Sequence, residues 1–174
     1  GQLGDGTNTD RNTPVQVLGP GGVGFLTDII AIADGLDHTI ALKSDSTVWA
    51  FGSNSGGQLG DGTNTDRNTP VQVVGHGGVG CLTDIIAIAG GVWFTIALKS
   101  DATVWAWGYN WHGQLGDGTF TSRNTPVQVL GPGGVGSLTD IMAIAGGMWY
   151  TIALKSDGTV WTFGRNEWGQ LGNG

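Results

Sequence analysis

The hydrophobic residues of this chain come in short runs that are separated by turn-forming residues. In the first 56 residues the runs are Pro14–Val17, Asp28–Ala33, Thr39–Lys43 and Thr47–Phe51. None of them has the 3.6-residue apolar period of a helix, and the last run carries aromatic residues at alternate positions, as a strand with one covered face does. The pattern therefore predicts an all-β chain with four short strands per unit.

The same runs return at a fixed interval. The hexapeptide GQLGDG begins at residues 1, 57 and 113, and GQLGNG begins at residue 169. Three near-identical repeats of 56 residues (1–56, 57–112 and 113–168) are thus followed by the start of a fourth at 169–174. Repeats of this length are typical of propellers, solenoids and arrays, and four antiparallel strands per repeat favour the blade of a β-propeller. The sequence predicts a single repeat domain over 1–174.

The motifs within the repeat point to a known family. The succession PVQV, then IAIA with GG, then TIALKSDGTVWTFGRNEWGQLGNG resembles the regulator of chromosome condensation repeat family, whose blades carry G-x-x-H-T-x-A-L, D-G-x-V-W-x-W-G-x-N and G-Q-L-G. His38 and Thr39 match the first motif, whereas Phe94 and Tyr150 replace the histidine in the other repeats. The resemblance implies a β-propeller over the whole chain, but not a particular function, because one fold serves many activities.

Three blades fall short of the roughly 4 to 8 with which propellers close. If Asp28–Ala33 is the innermost strand of a blade, the next repeat supplies the outermost strand. The chain then begins with an outer strand that has no third strand beside it and ends with a third strand that has no outer strand beside it. We therefore expect the propeller ring to close by oligomerisation. A six-bladed dimer is favoured, and a nine-bladed trimer, a fragment of a longer protein and an open arc are the alternatives. The residues expected to join two subunits are Pro14, Val15, Gln16, Val17, Thr159, Val160, Trp161, Thr162 and Phe163.

The three repeats differ mainly in the turn after the first strand and in the connection after the third. Antiparallel strands bring these two loops to the same face of a propeller. Aromatic residues on loops above a rigid scaffold offer a large contact area with few rotatable bonds, so this face is a candidate site for binding another protein. The alternative is that the rings pack between loops or fill the axial channel. The candidate residues are Trp93, Phe94, Tyr109, Trp111, Phe120, Trp149, Tyr150 and Trp168.

A second set of aromatic residues occurs in every repeat, in the third strand of each blade. Because this set does not vary, we expect it to pack between neighbouring blades. Its members are Trp49, Phe51, Trp105, Trp107, Trp161 and Phe163.

No set of residues points to catalysis, and we expect neither enzyme activity nor a cofactor. His38, His76 and His112 lie at unrelated positions of the repeat, without a Ser, Cys or Asp at triad spacing. The loop DGTNTD does not match the calcium-loop spacing, and GPGGVG lacks the lysine of a phosphate loop, so no metal is expected either. The single cysteine, Cys81, allows no internal disulfide.

Charge narrows the classes of partner. The net charge is −7, the isoelectric point is near 4.5, and Lys and Arg are not clustered. This balance disfavours nucleic acid and anionic membrane surfaces. No run approaches the roughly 20 apolar residues of a membrane span, and no signal peptide is recognisable, so we expect a soluble chain of unknown compartment.

Two hypotheses for function follow. The first is a non-enzymatic propeller scaffold that binds another protein through its aromatic loop face and also binds itself, as a homodimer or a trimer. The alternative is a designed or recently duplicated propeller unit with a purely structural, self-assembling role and no ligand. The near-identity of the repeats favours the alternative, whereas the aromatic divergence on one face favours the first hypothesis.

Overall fold

Short strands joined by tight turns and longer loops make up the computed structural model, which describes residues 1–174. Three-residue 3₁₀ turns precede the innermost strand of each blade, at Pro20–Gly22, His76–Gly78 and Pro132–Gly134. None of the helical segments is long and apolar enough to cross a membrane. The strands are β1 Ile29–Asp34, β2 His38–Lys43, β3 Val48–Gly52, β4 Arg67–Gln72, β5 Ile85–Gly90, β6 Phe94–Lys99, β7 Val104–Gly108, β8 Arg123–Gln128, β9 Ile141–Gly146, β10 Tyr150–Lys155 and β11 Val160–Gly164.

The strands form three antiparallel sheets, one for each blade. The first two sheets have four strands in the orders β1-β2-β3-β4 and β5-β6-β7-β8, and the third has the three strands β9, β10 and β11. The outer strand of each complete blade comes from the next repeat, since Trp49 pairs with Gln72 and Trp105 with Gln128. The prediction of four-stranded blades is confirmed for two blades. The third has no outer strand because no further RNTPVQ segment follows β11 in residues 1–174.

The predicted strand at Pro14–Val17 does not form in this structure. Its counterparts pair with β3 and β7, but no third strand of a blade precedes Pro14–Val17 within residues 1–174. Only Leu18, bridged to Phe25, has a β-type partner in this region. A strand needs a neighbour that accepts and donates its backbone hydrogen bonds, so the prediction was wrong for the isolated chain.

The remaining predicted strands are confirmed with small shifts at their ends. Asp28, for example, was placed inside the innermost strand but has φ +62° and lies before it, as do Asp84 and Asp140 in the other blades. The predicted hairpin between the second and third strands is also present, with the Ser46 amide donating to the Lys43 carbonyl at 3.0 Å.

The hydrophobic core lies between adjacent blades rather than within one. The aromatic residues common to all repeats contribute to it unequally: Phe51 and Trp107 are buried, whereas Trp49 and Trp105 are half-buried and bond Thr47 and Thr103 of their own blades. Between the first and second blades the core contains Ile40, Leu42, Val48, Val73, Leu82, Ile85, Ala97 and Trp107. Between the second and third it contains Phe94, Ile96, Leu98, Val104, Ala106, Leu115, Val129, Leu138, Ile141 and Ala153.

Candidate functional site

Two groups of loops are tied together on one face of the blades. The backbone amide of Tyr109, just after β7, donates to the carbonyl of Trp93 in the β5–β6 turn at 2.8 Å. Arg165 and Trp149 make the same bond at 2.9 Å in the third blade. We call this surface the loop face; it comprises residues 35–37, 53–66, 91–93, 109–122, 147–149 and 165–174. The predicted grouping of the two variable loops on one face is therefore present.

Four of the eight candidate aromatic residues pack together on the loop face. The ring centroid of Trp93 lies 5.4 Å from that of Trp149 and 5.7 Å from that of Tyr109, both in edge-to-face arrangements. Tyr109 is also 5.3 Å from Trp111 and 5.3 Å from Trp149. Trp111 is 70% exposed and the other three rings are half-buried. We call Trp93, Tyr109, Trp111 and Trp149 the aromatic cluster.

The cluster forms where the turns of neighbouring blades touch. The amide of Val92, next to Trp93, donates to the carbonyl of Met148, next to Trp149, at 3.3 Å. The first blade makes the matching contact, but its turn carries Asp37 in place of tryptophan and serines in its long loop. The aromatic cluster therefore belongs to the second and third blades only, and the first blade contributes a polar, acidic part of the loop face.

The other four candidates lie outside the cluster. Phe94 is fully buried in the core between the second and third blades, so its prediction as a partner-contacting residue is corrected. It begins strand β6, whose side chains at this level point between the blades. Tyr150 is half-buried at the same position of the third blade. Phe120 and Trp168 are 71% and 78% exposed, but neither ring contacts the cluster, and Trp168 lies under the Arg165 guanidinium at 5.0 Å.

The loop that carries Tyr109 and Trp111 is held by a buried asparagine. Asn110 Nδ2 donates to Asp117 Oδ1 at 3.1 Å and to the carbonyls of Thr119 and Thr121 at 3.0 and 3.1 Å. Asn110 Oδ1 accepts from the Leu115 amide at 2.9 Å. Burial raises the pKa of Asp117, but hydrogen bonds from Thr119 and Arg123 outweigh it, so the pKa is lowered and the carboxylate stays charged. The asparagine and aspartate of this loop thus stabilise its shape, and no group of three or more His, Cys, Asp or Glu in the structure could hold a metal ion.

His38 stands in the first blade where Phe94 and Tyr150 stand in the others, and it is only 1% exposed. Its Nε2 is 3.0 Å from Thr95 Oγ1, and that hydroxyl donates its proton to the Gln58 carbonyl at 2.8 Å. The hydroxyl must therefore accept a hydrogen bond from His38, which places a proton on Nε2. Burial lowers the pKa of His38 from 6.5 to about 4, against a weaker opposite effect of Asp34 and Asp37. His38 is a structural residue that joins two blades.

We expect His38 to make the stability pH-dependent between pH 7 and 5. The pKa of His38 is about 4 in the folded chain and 6.5 when unfolded. Its contribution is therefore complete above pH 6.5 and is lost as the pH falls toward 4, which amounts to about 2 kcal/mol between pH 7 and 5. Urea denaturation at the two pH values measures this difference.

The matched control is His38→Phe, the residue of the second repeat, which should remove most of that difference. Carboxylates such as Asp101, whose pKa is lowered by hydrogen bonds from Thr103, lose their contribution only below their usual 3.8. They do not obscure the interval from pH 7 to 5. An unchanged difference in His38→Phe would assign the pH dependence to another group.

The residues that are predicted to join two subunits lie at two separate places, the edge of the third blade and the start of the first repeat, and both are partly exposed to solvent. Val160 of β11 is 62% exposed, whereas Val48 and Val104 at the same position are 0% exposed. Trp161 is 37% exposed, Thr159 is exposed, and Thr162 and Phe163 are half-buried. At the other edge Pro14, Val15 and Gln16 are exposed and Val17 is half-buried. Within one chain the two edges do not pair.

Comparison with known proteins gives matches along the whole chain. A family model described as regulator of chromosome condensation (RCC1) repeat matches residues 1–42, 45–98 and 101–154, and a second RCC1 repeat model matches 29–58 and 85–114. The ultraviolet-B receptor UVR8 of Arabidopsis thaliana is 32% identical over 174 residues, which cover 100% of this chain and 37% of the receptor. The E3 ubiquitin-protein ligase HERC2 of Homo sapiens is 31% identical over 176 residues, which cover 100% of this chain and 3% of the ligase. The chain therefore spans little more than a third of the first of these relatives and a small part of the second.

Solved structures give a similar result. Prp20p from Saccharomyces cerevisiae, a protein described with its binding to Gsp1p and histones, superposes with a TM-score of 0.65 at 26% identity, covering 84% of this chain and 34% of that one. Human WBSCR16 superposes with a TM-score of 0.64 at 26% identity, covering 78% of this chain and 33% of that one. In both cases the similarity is to about a third of the solved chain.

Proposed function

This chain belongs to the regulator of chromosome condensation (RCC1) repeat family, and on that premise we propose that it is a non-enzymatic β-propeller scaffold that binds another protein through its aromatic cluster. The observation that carries the proposal is the meeting of Trp93, Tyr109, Trp111 and Trp149 on the loop face. Protein binding is also the activity named for solved relatives, since Prp20p binds Gsp1p and histones and yeast RCC1 is bound to Kap60.

The cluster has the physical properties of a protein-binding surface. Its rings support one another at centroid distances of 5.3–5.7 Å, and the loop beneath Trp111 is fixed by the hydrogen bonds of Asn110. A partner therefore meets aromatic groups that are already ordered, and little conformational entropy is lost on binding. Tryptophan and tyrosine in such positions contribute a large share of the binding energy at protein interfaces.

Charge around the cluster favours a basic partner segment. His112 lies 5.8 Å from Trp149, and beyond it Glu167 is paired with Arg165, whose hydrogen bond lowers the pKa of that carboxyl, with a smaller effect of His112 in the same direction. The neighbouring turn of the first blade carries Asp37, and the whole chain has a net charge of −7. We therefore propose a partner segment with Lys or Arg residues around an apolar anchor, because opposite charges speed and orient association.

Replacement of Trp93, Trp111 and Trp149 by serine in one variant should weaken partner binding by at least about 100-fold, since buried aromatic anchors commonly account for more than 1 kcal/mol each. Affinity capture with the wild-type chain identifies the protein, and a titration of that purified protein gives the dissociation constants. The matched control is Trp168→Ser, which removes a ring that is 78% exposed, against 70% for Trp111, and lies outside the cluster. Equal affinity of the wild type and the triple variant would count against the aromatic cluster.

We propose self-assembly as a second function, in which another copy of the chain covers the open edges. The exposure of Val160 carries this proposal, because a position that is fully buried in the two complete blades is 62% exposed in the third. A dimer would have six blades and a trimer nine, and the dimer is favoured because six lies within the usual range of closed propellers. The mass of the assembly in solution, against 17.9 kDa for one chain, tests it.

A further inference from the structure

A groove of about 450 Å³ runs beside β11, the strand that lacks an outer neighbour. Trp161 and Phe163 line one side, and the 3₁₀ turn Pro132–Gly134 lines the other. In complete blades this space holds the outer strand: His76, at the position of Pro132, contacts the Pro126 carbonyl of β8 through Nδ1 at 3.1 Å. The groove in the third blade thus corresponds to the space that the outer strand fills in the complete blades.

We infer that residues 11–17 of a second copy fill this groove as the outer strand, an inference that rests on the self-assembly proposed above. Residues 1–6 of the second copy then displace residues 169–174 of the first copy. The two complete blades give the register of the pairing. Ala50 pairs with Val71 and Ala106 with Val127, so Thr162 pairs with Val15 of the second copy. The amide of Val17 then donates to the Val160 carbonyl, as Val73 does to Val48 at 2.9 Å.

The apolar surfaces of the two edges match in the same register. Val48 packs in one core with Val73, Leu82 and Ile85, which are 0%, 4% and 1% exposed. Their counterparts in the first repeat, Val17, Leu26 and Ile29, are only half-buried in a single chain. These residues would cover Val160, so the exposed apolar surfaces of the two edges would bury each other.

The same register brings two hexapeptides to one location. The segment 57–62 makes hydrogen bonds in both directions: Leu59 N donates to Asn54 Oδ1 at 2.9 Å, and the Gln58 carbonyl accepts from Thr95 Oγ1 of the following blade at 2.8 Å. Residues 169–174 bond only their own blade: Leu171 N donates to Asn166 Oδ1 at 2.9 Å, the Leu171 carbonyl accepts from Thr162 Oγ1 at 2.8 Å, and Asn173 Oδ1 accepts from Asn166 Nδ2 at 3.0 Å.

Residues 1–6 instead make the bond to the following blade, since the Gln2 carbonyl accepts from Thr39 Oγ1 at 3.0 Å. When the edges of two copies meet, Asn166 of the first copy and Thr39 of the second copy face the same space. Only one hexapeptide can occupy that space and bond both residues. One of the two hexapeptides must therefore leave.

Residues 1–6 make an ion pair that residues 169–174 lack. Asp5 accepts from Arg11 Nε at 2.7 Å and from Thr7 Oγ1 at 2.7 Å, which are the contacts that Asp61 and Asp117 make in the other repeats. Residues 169–174 carry the neutral Asn173 at this position, which cannot form that ion pair with the Arg11 of the incoming copy. The displaced segment is therefore 169–174.

Cysteine cross-linking tests the register. In a Cys81→Ser background, a chain with Thr162→Cys is mixed with a chain carrying Val15→Cys, and directly opposed strand residues lie within disulfide reach. The matched control is Gln16→Cys, whose side chain points to the opposite side of the strand. Mild oxidation should give mixed dimers at least about tenfold faster with Val15→Cys than with Gln16→Cys. A dimer by mass that cross-links equally with both overturns the register but not self-assembly, whereas a monomer by mass overturns self-assembly itself.

A pair of leucine variants tests the displacement in the full chain. Leu59 and Leu115 are 0% exposed, whereas Leu3 is 40% exposed and Leu171 is half-buried in a single chain. Whichever of the last two enters the joint becomes buried there. Leu3→Ala should raise the dimer dissociation constant at least about tenfold, and Leu171→Ala should leave it unchanged or lower it. The reverse order would show that residues 169–174 keep their place and would overturn the displacement.

Discussion

Trp107→Ala should lower the free energy of unfolding by about 4 kcal/mol, which is a large part of the stability of a small domain. Trp107 is 0% exposed and lies in the core between the first and second blades. Its Nε1 donates to the Gln58 carbonyl at 3.0 Å, the same carbonyl that Thr95 Oγ1 reaches from β6. Truncation removes the largest ring of this core and one of the two hydrogen bonds that the Gln58 carbonyl accepts from the second blade.

The matched control for Trp107 is given by the repeats themselves. Phe51 occupies the same position in the first blade and is 2% exposed, so Trp107→Phe should keep the packing and lose mainly the hydrogen bond. We expect a loss of about 1 kcal/mol for this variant. Urea denaturation followed by far-ultraviolet circular dichroism measures both values. Equal losses for the alanine and phenylalanine variants would contradict an inter-blade packing role for the ring.

Val160→Asp should weaken self-association by at least about 100-fold, because a carboxylate at this position would be buried without a partner in the completed blade. In a single chain Val160 is 62% exposed, so the substitution should leave the stability of the monomer nearly unchanged. Sedimentation velocity gives the dissociation constant, and a thermal melt at low concentration reports the stability of the single chain.

The control for Val160 is Val79→Asp, which adds the same charge at a valine that is 80% exposed in the loop before β5. This loop follows the turn that contacts β8, the outer strand of a complete blade, so Val79→Asp should associate like the wild type. If both variants weaken association equally, net charge rather than a covered Val160 is responsible.

The repeat period predicted the propeller architecture because the same succession of strand-like runs occurs three times in the sequence. The runs that became β1 to β3 recur with little change, and the assignment of the outer strand to the next repeat is confirmed by the pairing of Trp49 with Gln72. Pro14–Val17 has the same pattern as its counterparts but no neighbour within the chain, and hydrogen-bonded pairing is a property of two strands rather than of one sequence. The pattern could therefore predict a strand there without determining whether it forms in a single chain.

The candidate site was predictable only as a face of the propeller. Sequence variation grouped Phe94 with Trp93, although Phe94 begins β6 and is buried while Trp93 remains in the turn. Adjacent residues thus lie in the core and on the surface at the start of β6, and the predicted ends of strands are accurate only to within one or two residues. The aromatic cluster itself depends on the contact of Val92 with Met148 in adjacent blades, which no local pattern contains.

The mass of the chain in solution tests most directly the central claim that the two open edges complement each other. Sedimentation equilibrium over a dilution series should give twice the 17.9 kDa of one chain at high concentration and should approach 17.9 kDa on dilution. Val160→Asp should shift the transition to higher concentration. A mass of 17.9 kDa at every concentration would contradict the claim.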